Sequence, residues 1–265
     1  MDGWGAKVVD GNSTGGRWSA TERLEHIKVL ELKAAQLGLH SLSHLRRAAH
    51  IQIQLDNVTA VSYLREMGGS RSLSCNKLAN EIWHWCLARS LWISVTHIPG
   101  SHNVMADKES RVFDGKTEWK LDSNAFAYCT ELWGQPEIDM FASRLNYQFK
   151  PYVSWRPDPG ACAIDAFCMN WCNKYLYIFP PFSLIPRVLK KLQEDGAKAI
   201  LIVPQWPTQP WFPLLKTLSM SPPLLFARSK TLLTLPAQPN RVHPLYPKLR
   251  MVAYLLSARS SHKMN

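Results

Sequence analysis

Ile51-Gln52-Ile53-Gln54-Leu55-Asp56-Asn57-Val58-Thr59-Ala60-Val61 sets the frame for the first half of the chain. Apolar and polar residues alternate from Ile51 to Leu55, the period of a strand with one buried face. Asp56-Asn57 ends that strand, and Thr59-Ala60-Val61-Ser62-Tyr63-Leu64 predicts a helix directly after it. A carboxylate therefore stands at the C-terminal end of a strand. Upstream, Gly5-Ala6-Lys7-Val8-Val9 and Gly16-Arg17-Trp18-Ser19 read as the arms of a hairpin around Asp10-Gly11-Asn12. Leu30 to Leu39 has helix formers with apolar residues at helical spacing, and Glu31 is read at the head of that helix. Downstream, Ser72 to Leu91 reads as a longer amphipathic helix with Trp83, Trp85 and Trp92 as its core face, followed by a strand over Ile93-Ser94-Val95-Thr96-His97-Ile98. This succession predicts a mixed α/β sheet with flanking helices.

The 265 residues, 46% hydrophobic and 19% charged, are enough for one large domain or two of roughly 100–150 residues. No apolar run reaches the ~18 residues of a membrane span, and Met1-Asp2-Gly3-Trp4 lacks the order of a signal peptide, so an intracellular protein, cytoplasmic or nuclear and without a membrane, is expected. Six cysteines are scattered without a Cys-x-x-Cys pair and read as reduced, mostly buried thiols. His40, His44 and His50 read as a solvated helix end rather than a zinc site, since no carboxylate completes the set.

Charge and proline divide the chain. Residues 1–150 carry 17 Lys and Arg against 16 Asp and Glu, whereas residues 151–265 carry 14 against 4, and 16 of the 18 prolines fall in the second part. After Asp195 no acid follows, while Lys198, Lys216, Arg228, Lys230, Arg241, Lys248, Arg250, Arg259 and Lys263 do. A polyanionic partner, nucleic acid, is the natural expectation; a solvated basic face is the plainer one. Ile138 to Ala142, Leu176 to Phe179 and Ala199 to Val203 are short apolar runs, with a helix over Leu184 to Leu192, which predicts a small Rossmann-like sheet.

Three acids of the first half, Glu31, Asp56 and Asp107, lie where convergence at one sheet end would suit divalent metals and in-line attack on a phosphodiester. Taken singly, Glu31 is a first-turn helix acid and Asp56 a helix cap. The ordered set Gly3-Trp4-Gly5-Ala6, Gly16-Arg17-Trp18-Ser19, His26-Ile27 to Glu31-Leu32, Asp56-Asn57, Gly68-Gly69, Ile82-Trp83 and His97-Ile98-Pro99-Gly100 to Ala106-Asp107 with Ser110-Arg111 resembles the ribonuclease H domain that follows reverse transcriptase in DIRS-group tyrosine-recombinase retrotransposons. The resemblance covers about 110 residues. It implies Mg²⁺- or Mn²⁺-dependent hydrolysis of RNA in RNA–DNA hybrids, with Glu31, Asp56 and Asp107 as metal ligands and His97 assisting product release. It also implies nucleic-acid contacts from Asn57, Asn103 and Arg111 and an upstream reverse transcriptase domain as partner. The family's first acid lies in an Asp-Ala-Ser group several residues before Gly-Trp-Gly, where this sequence has only Met1-Asp2, and Glu109 replaces a usually apolar residue. The chain is thus expected to be truncated in its central strand, with weak or absent cleavage.

In the second half, Phe179-Pro180-Pro181-Phe182 follows an apolar run, as a rigid strand-end loop or a plain connector. With Asp139-Met140-Phe141-Ala142, Asp165-Ala166-Phe167 and Ile202-Val203-Pro204 it resembles the adenine-methyltransferase-like domain of the same retrotransposons, over roughly residues 133–256. Such enzymes place a polar acceptor before Pro-Pro and an aromatic after it for a flipped base. Here Phe179 replaces the acceptor and no glycine-rich methyl-donor loop follows Asp139, so the resemblance implies a degenerate methyltransferase without S-adenosylmethionine. Trp206 and Trp211, beside basic residues, are candidates to stack on single-stranded bases, with core packing as the alternative. The expected organisation is a ribonuclease H-like domain over 1–112, a linker over 113–132, and a methyltransferase-like domain with a basic tail over 133–265.

Overall fold

Local periodicity is converted into two separate packing arrangements. The computed structural model describes residues 2–69, 71–113, 115 and 118–258 of a mixed α/β protein; Arg259 and Lys263 of the basic tail lie outside the described residues. The chain divides into two units, Met1–Phe113 with Pro157–Gly160, and Asp114–Arg156 with Ala161–Asn265.

In the first unit, β1 (Gly3–Lys7) and β2 (Ser13–Arg17) form an antiparallel hairpin with Gly5 opposite Gly15. Trp4 lies on one face and clusters with Trp18 and with Leu30 and Leu37 of α1 (Ile27–Ser43). The other face carries Gly3, Gly5 and Gly15, and the missing side chains admit the backbone of α4 (Val104–Glu109). A Cβ on Gly5 would lie 2.1 Å from the Ala106 carbonyl oxygen. β3 (Ala49–Leu55) and β4 (Leu91–His97) run parallel, in register from Ala49 opposite Leu91 to Leu55 opposite His97. A parallel pair needs a crossover, supplied by α2 (Val58–Arg65) and α3 (Leu73–Leu87). Leu91, Ile93 and Val95 pack with Leu32, Leu64, Ile82 and Trp83 on one face, while His50, Gln52 and Gln54 of β3 are exposed on the other.

Several local expectations change. Helix α1 begins four residues before Glu31, capped by the His26 ring, so Glu31 lies a full turn inside the helix and does not head it. The cap of α2 is Asn57, whose side chain accepts from the Ala60 amide at 3.0 Å, and not Asp56. Helix α3 ends at Leu87, which places Trp92 on β4, half exposed and edge-on to Trp83 at 5.1 Å. His40 is half-buried and stacked on Trp85 at 4.3 Å, so it is not part of a solvated helix end.

The second unit is built on a five-stranded sheet in the order β11-β13-β10-β9-β6, comprising β6 (Ile138–Asp139), β9 (Tyr175–Ile178), β10 (Lys198–Pro204), β11 (Leu224–Leu225) and β13 (Met251–Ser257). β6, β9 and β10 are parallel, and β13 runs antiparallel to both β10 and β11. α6 (Ile185–Asp195) makes the crossover from β9 to β10. The apolar run of β10 is buried on both faces, the signature of a covered sheet. Ala199, Leu201 and Val203 face a core shared with α6 and α7 (Phe212–Leu218), and Ile200 and Ile202 face a core containing Leu121, Cys129 and Leu233. Two short pairs, β5 (Lys120–Leu121) with β12 (Leu233–Thr234) and β7 (Val153–Ser154) with β8 (Ala163–Ile164), complete the unit.

Much of the stretch expected as a linker is not one. Leu121 and Cys129 are fully buried, and α5 (Ser123–Trp133) is capped by Asp122, whose carboxylate accepts from the Asn124 and Ala125 amides. Of the cysteines, Cys75, Cys86 and Cys129 are buried while Cys162, Cys168 and Cys172 are exposed, so the thiols are not mostly buried. No helix among the described residues is long and apolar enough to cross a membrane.

Candidate functional site

The C-terminal ends of β3 and β4 gather four of the residues singled out by sequence. Asp56 follows β3 and is exposed, and its Oδ2 accepts from Asn103 Nδ2 at 3.1 Å. His97 ends β4, and its Nε2 lies 3.2 Å from the Asp56 carbonyl oxygen, a bond that requires the proton on Nε2. The turn after His97 brings Gly100 close, since a Cβ there would lie 3.8 Å from Asp56 Oδ2. Glu31 reaches the same neighbourhood from α1. Its pKa is raised, first by burial and then by the negative charge of Asp56. Two carboxylates sharing one field attract a proton or a cation, because either relieves their repulsion.

Asp107 does not join them as a free ligand. It lies on α4, and its Oδ1 is bound by Arg111 Nη2 at 2.8 Å, one helical turn on. Among the described residues no group of three or more His, Cys, Asp and Glu side chains is arranged to hold a metal ion. The donors present, two carboxylates and an amide already engaged with one of them, do not fit a two-metal centre, which needs several free hard oxygens. The three residues of the first unit expected to touch nucleic acid are also engaged: the Asn57 side-chain carbonyl in the α2 cap, the Asn103 amide with Asp56, and Arg111 with Asp107. Glu109, unusual for the resembled family, accepts from the Ser13 hydroxyl at 2.9 Å and so ties α4 to the hairpin.

In the second unit the Phe179-Pro180-Pro181-Phe182 loop does follow the C-terminal end of a strand, β9, and leads into α6. Phe179 packs against the core that holds Leu121, Tyr177 and Ile202, so the residue before Pro180-Pro181 presents an apolar ring and no hydrogen-bond acceptor of its side chain. Phe182 is edge-on to Trp206 at 5.4 Å. Trp211 is 7% exposed and belongs to the core beside α7, and Trp206 packs on both cores. Trp211 is thus a core residue and not a stacking platform, whereas Trp206 is half-buried with its ring packed on Phe182. Asp165 has positive φ and caps the turn Ala166–Cys168, accepting from the Phe167 amide at 2.9 Å, which makes it structural.

Asp139, at the end of β6, is different. Its carboxyl is 1% exposed, and burial pushes its pKa up to about 7 against the opposing pull of the Gln148 and Phe141 amides and the Lys120 charge. Its Oδ2 accepts from the Gln148 amide at 2.9 Å. Tyr177, fully buried on the adjacent strand, has its hydroxyl pKa raised by burial and by Asp139. Sequence reasoning missed Lys120, Gln148 and Tyr177 as neighbours of Asp139, because nothing in local spacing links positions so far apart. The loop after Asp139 closes on itself, with Asn146 Oδ1 accepting from the Ser143 amide at 2.7 Å.

No family model matches this chain, and no curated protein is found as a relative.

Proposed function

We propose that the chain is a ribonuclease H-like protein of retrotransposon descent, whose hydrolysis of RNA in RNA–DNA hybrids is impaired, followed by a small Rossmann-like, methyltransferase-type unit without methyl-transfer chemistry. One observation carries the reading: the strand-end Asp56 stands within the electrostatic reach of Glu31, with Asn103 and His97 gathered on it. Asn103 orients the Asp56 carboxylate, His97 braces its backbone, and burial raises the pKa of Glu31. These residues supply one half of a hard-oxygen site. The other half is lacking while Asp107 remains paired with Arg111.

That engagement favours a second reading, in which the chain binds nucleic acid without cutting it. Methyl transfer is the weakest alternative, because the Phe179 ring has no lone pair to accept from a target amine. Cleavage of an RNA–DNA hybrid in Mg²⁺ or Mn²⁺ at stated salt, with Asp56→Asn as control, separates the readings. The expected result is hybrid binding with weak cleavage that disappears in Asp56→Asn. Binding with no cleavage in either protein leaves the non-catalytic reading, and no binding at all overturns both.

A further inference from the structure

The acid-free stretch after Asp195 is not spread evenly over the second unit. Part of it lines a shallow recess, open to solvent, formed by the loop after β11, the start of β12 and the turn that precedes β13. Arg228, Lys230 and Arg250 stand exposed at its rim, and none of the lining residues is acidic. Among the described residues none of these three cations is paired with a carboxylate. Inside the rim are the half-buried rings of Phe226, His243 and Tyr246, over a floor that includes Leu249 and Met251, which are 8% and 1% exposed.

The frame of the recess is fixed. The Phe226 amide donates to the Met251 carbonyl at 3.2 Å, the Asp122 amide to the Leu232 carbonyl at 2.8 Å, and the Leu249 amide to the Leu245 carbonyl at 2.8 Å. The His243 ring is held edge-on to Trp119 at 4.6 Å, with its Nδ1 accepting from the Leu245 amide at 3.2 Å. An open, shallow surface that carries rings beside unpaired cations meets two needs together: a flat heterocycle stacks on a ring, and phosphates meet positive charge.

We infer that this recess is a binding site for single-stranded nucleic acid, taking a base among Phe226, His243 and Tyr246 and the flanking phosphates on Arg228, Lys230 and Arg250. It lies apart from Trp211, whose ring is buried in the core and takes no part in stacking. It does not rest on the proposed hydrolytic reading of the first unit, and is tested in an Asp56→Asn background so that any cleavage is removed.

The test is fluorescence anisotropy of a short labelled oligothymidylate as a function of salt, with the full chain. Arg228→Ala with Arg250→Ala should weaken binding about tenfold or more and lower the log–log salt slope by about 1.4, two phosphate contacts' worth for a single strand. Lys190→Ala with Lys216→Ala removes the same charge outside the recess and should change affinity less than about twofold, since affinity depends on which phosphates are contacted. Tyr246→Leu should weaken binding about tenfold with the slope unchanged, and Tyr246→Phe should restore it, because only the ring is needed. Equal losses in the two charge pairs would reduce the effect to net charge and overturn the site. Competition by thymidine monophosphate as effective as the oligonucleotide would make the ligand a free nucleotide and overturn the strand assignment. Unchanged thermal midpoints keep loss of binding distinct from loss of fold.

Discussion

Just after β3 an exposed carboxylate, Asp56, is held out by Asn103 and His97; just after β9 stands Phe179, packed against a core. The strands behind them differ in the same sense. β3 buries one face only partly, whereas β10, next to β9, is buried from Ala199 to Pro204 on both faces. The first region keeps polar chemistry available at some cost to packing. In the second, the strand end has been absorbed into the packing. An ordered carboxylate needs hydrogen-bond partners and water nearby, and a dry, doubly covered sheet supplies neither at its edge without shifting a pKa.

The comparison is sharpest in stability. Leu201→Ala, at a fully buried position, should destabilise the second unit by roughly 2–5 kcal/mol. Ile53→Ala, at a half-buried position of β3, should cost the first unit only about 1 kcal/mol. Urea unfolding followed by probes specific to each unit checks both values, and equal costs would remove the contrast.

Asp139 gives the next largest effect. Its pKa is raised to about 7 from the ordinary 3.8, so the folded carboxyl holds a proton that the unfolded one has released. Stability of the second unit should therefore fall as pH rises from about 4 to about 7 and level off above, by at most about 4 kcal/mol. Asp139→Asn, neutral throughout, should remove that part of the pH dependence. A wild type and variant with parallel pH profiles would mean that the buried carboxyl does not govern it.

The smallest effect concerns the acid pair of the first unit. Asp56→Asn should lower the Glu31 pKa while leaving it above its ordinary value, because burial is the larger cause and the Asp56 charge the lesser. Carboxyl-carbon NMR titration of Glu31 reads this directly. An unmoved Glu31 would mean that the two carboxylates do not share a field.

The alternation of Ile51 to Leu55, the apolar run of Ala199 to Val203 and the amphipathic stretch from Ser72 are written in neighbouring residues, so the strand, the buried strand and the helix start were legible from sequence. So was the placement of Asp56 and Phe179 at strand ends, since a strand's end is a local break in periodicity. The start of α1 was not legible in the same way: His26 as a cap is a weak local signal, and it moved Glu31 one turn into the helix. Nor was the burial of Trp211 legible, because an aromatic in a proline-rich segment reads the same whether it faces solvent or a sheet.

By itself the sequence determined the hairpin, helix, strand, two helices and strand of the first unit, the carboxylate at the end of β3 and the absence of acids after Asp195. Only the tertiary structure decided that Glu31 comes within the field of Asp56, that Asp139 is dry, and that Arg228, Lys230 and Arg250 border one recess. The physical reason is range. Backbone periodicity is set by neighbours three or four residues apart, whereas the convergence of side chains depends on strand registers, such as β13 against β10 and β11, that join distant parts of the chain.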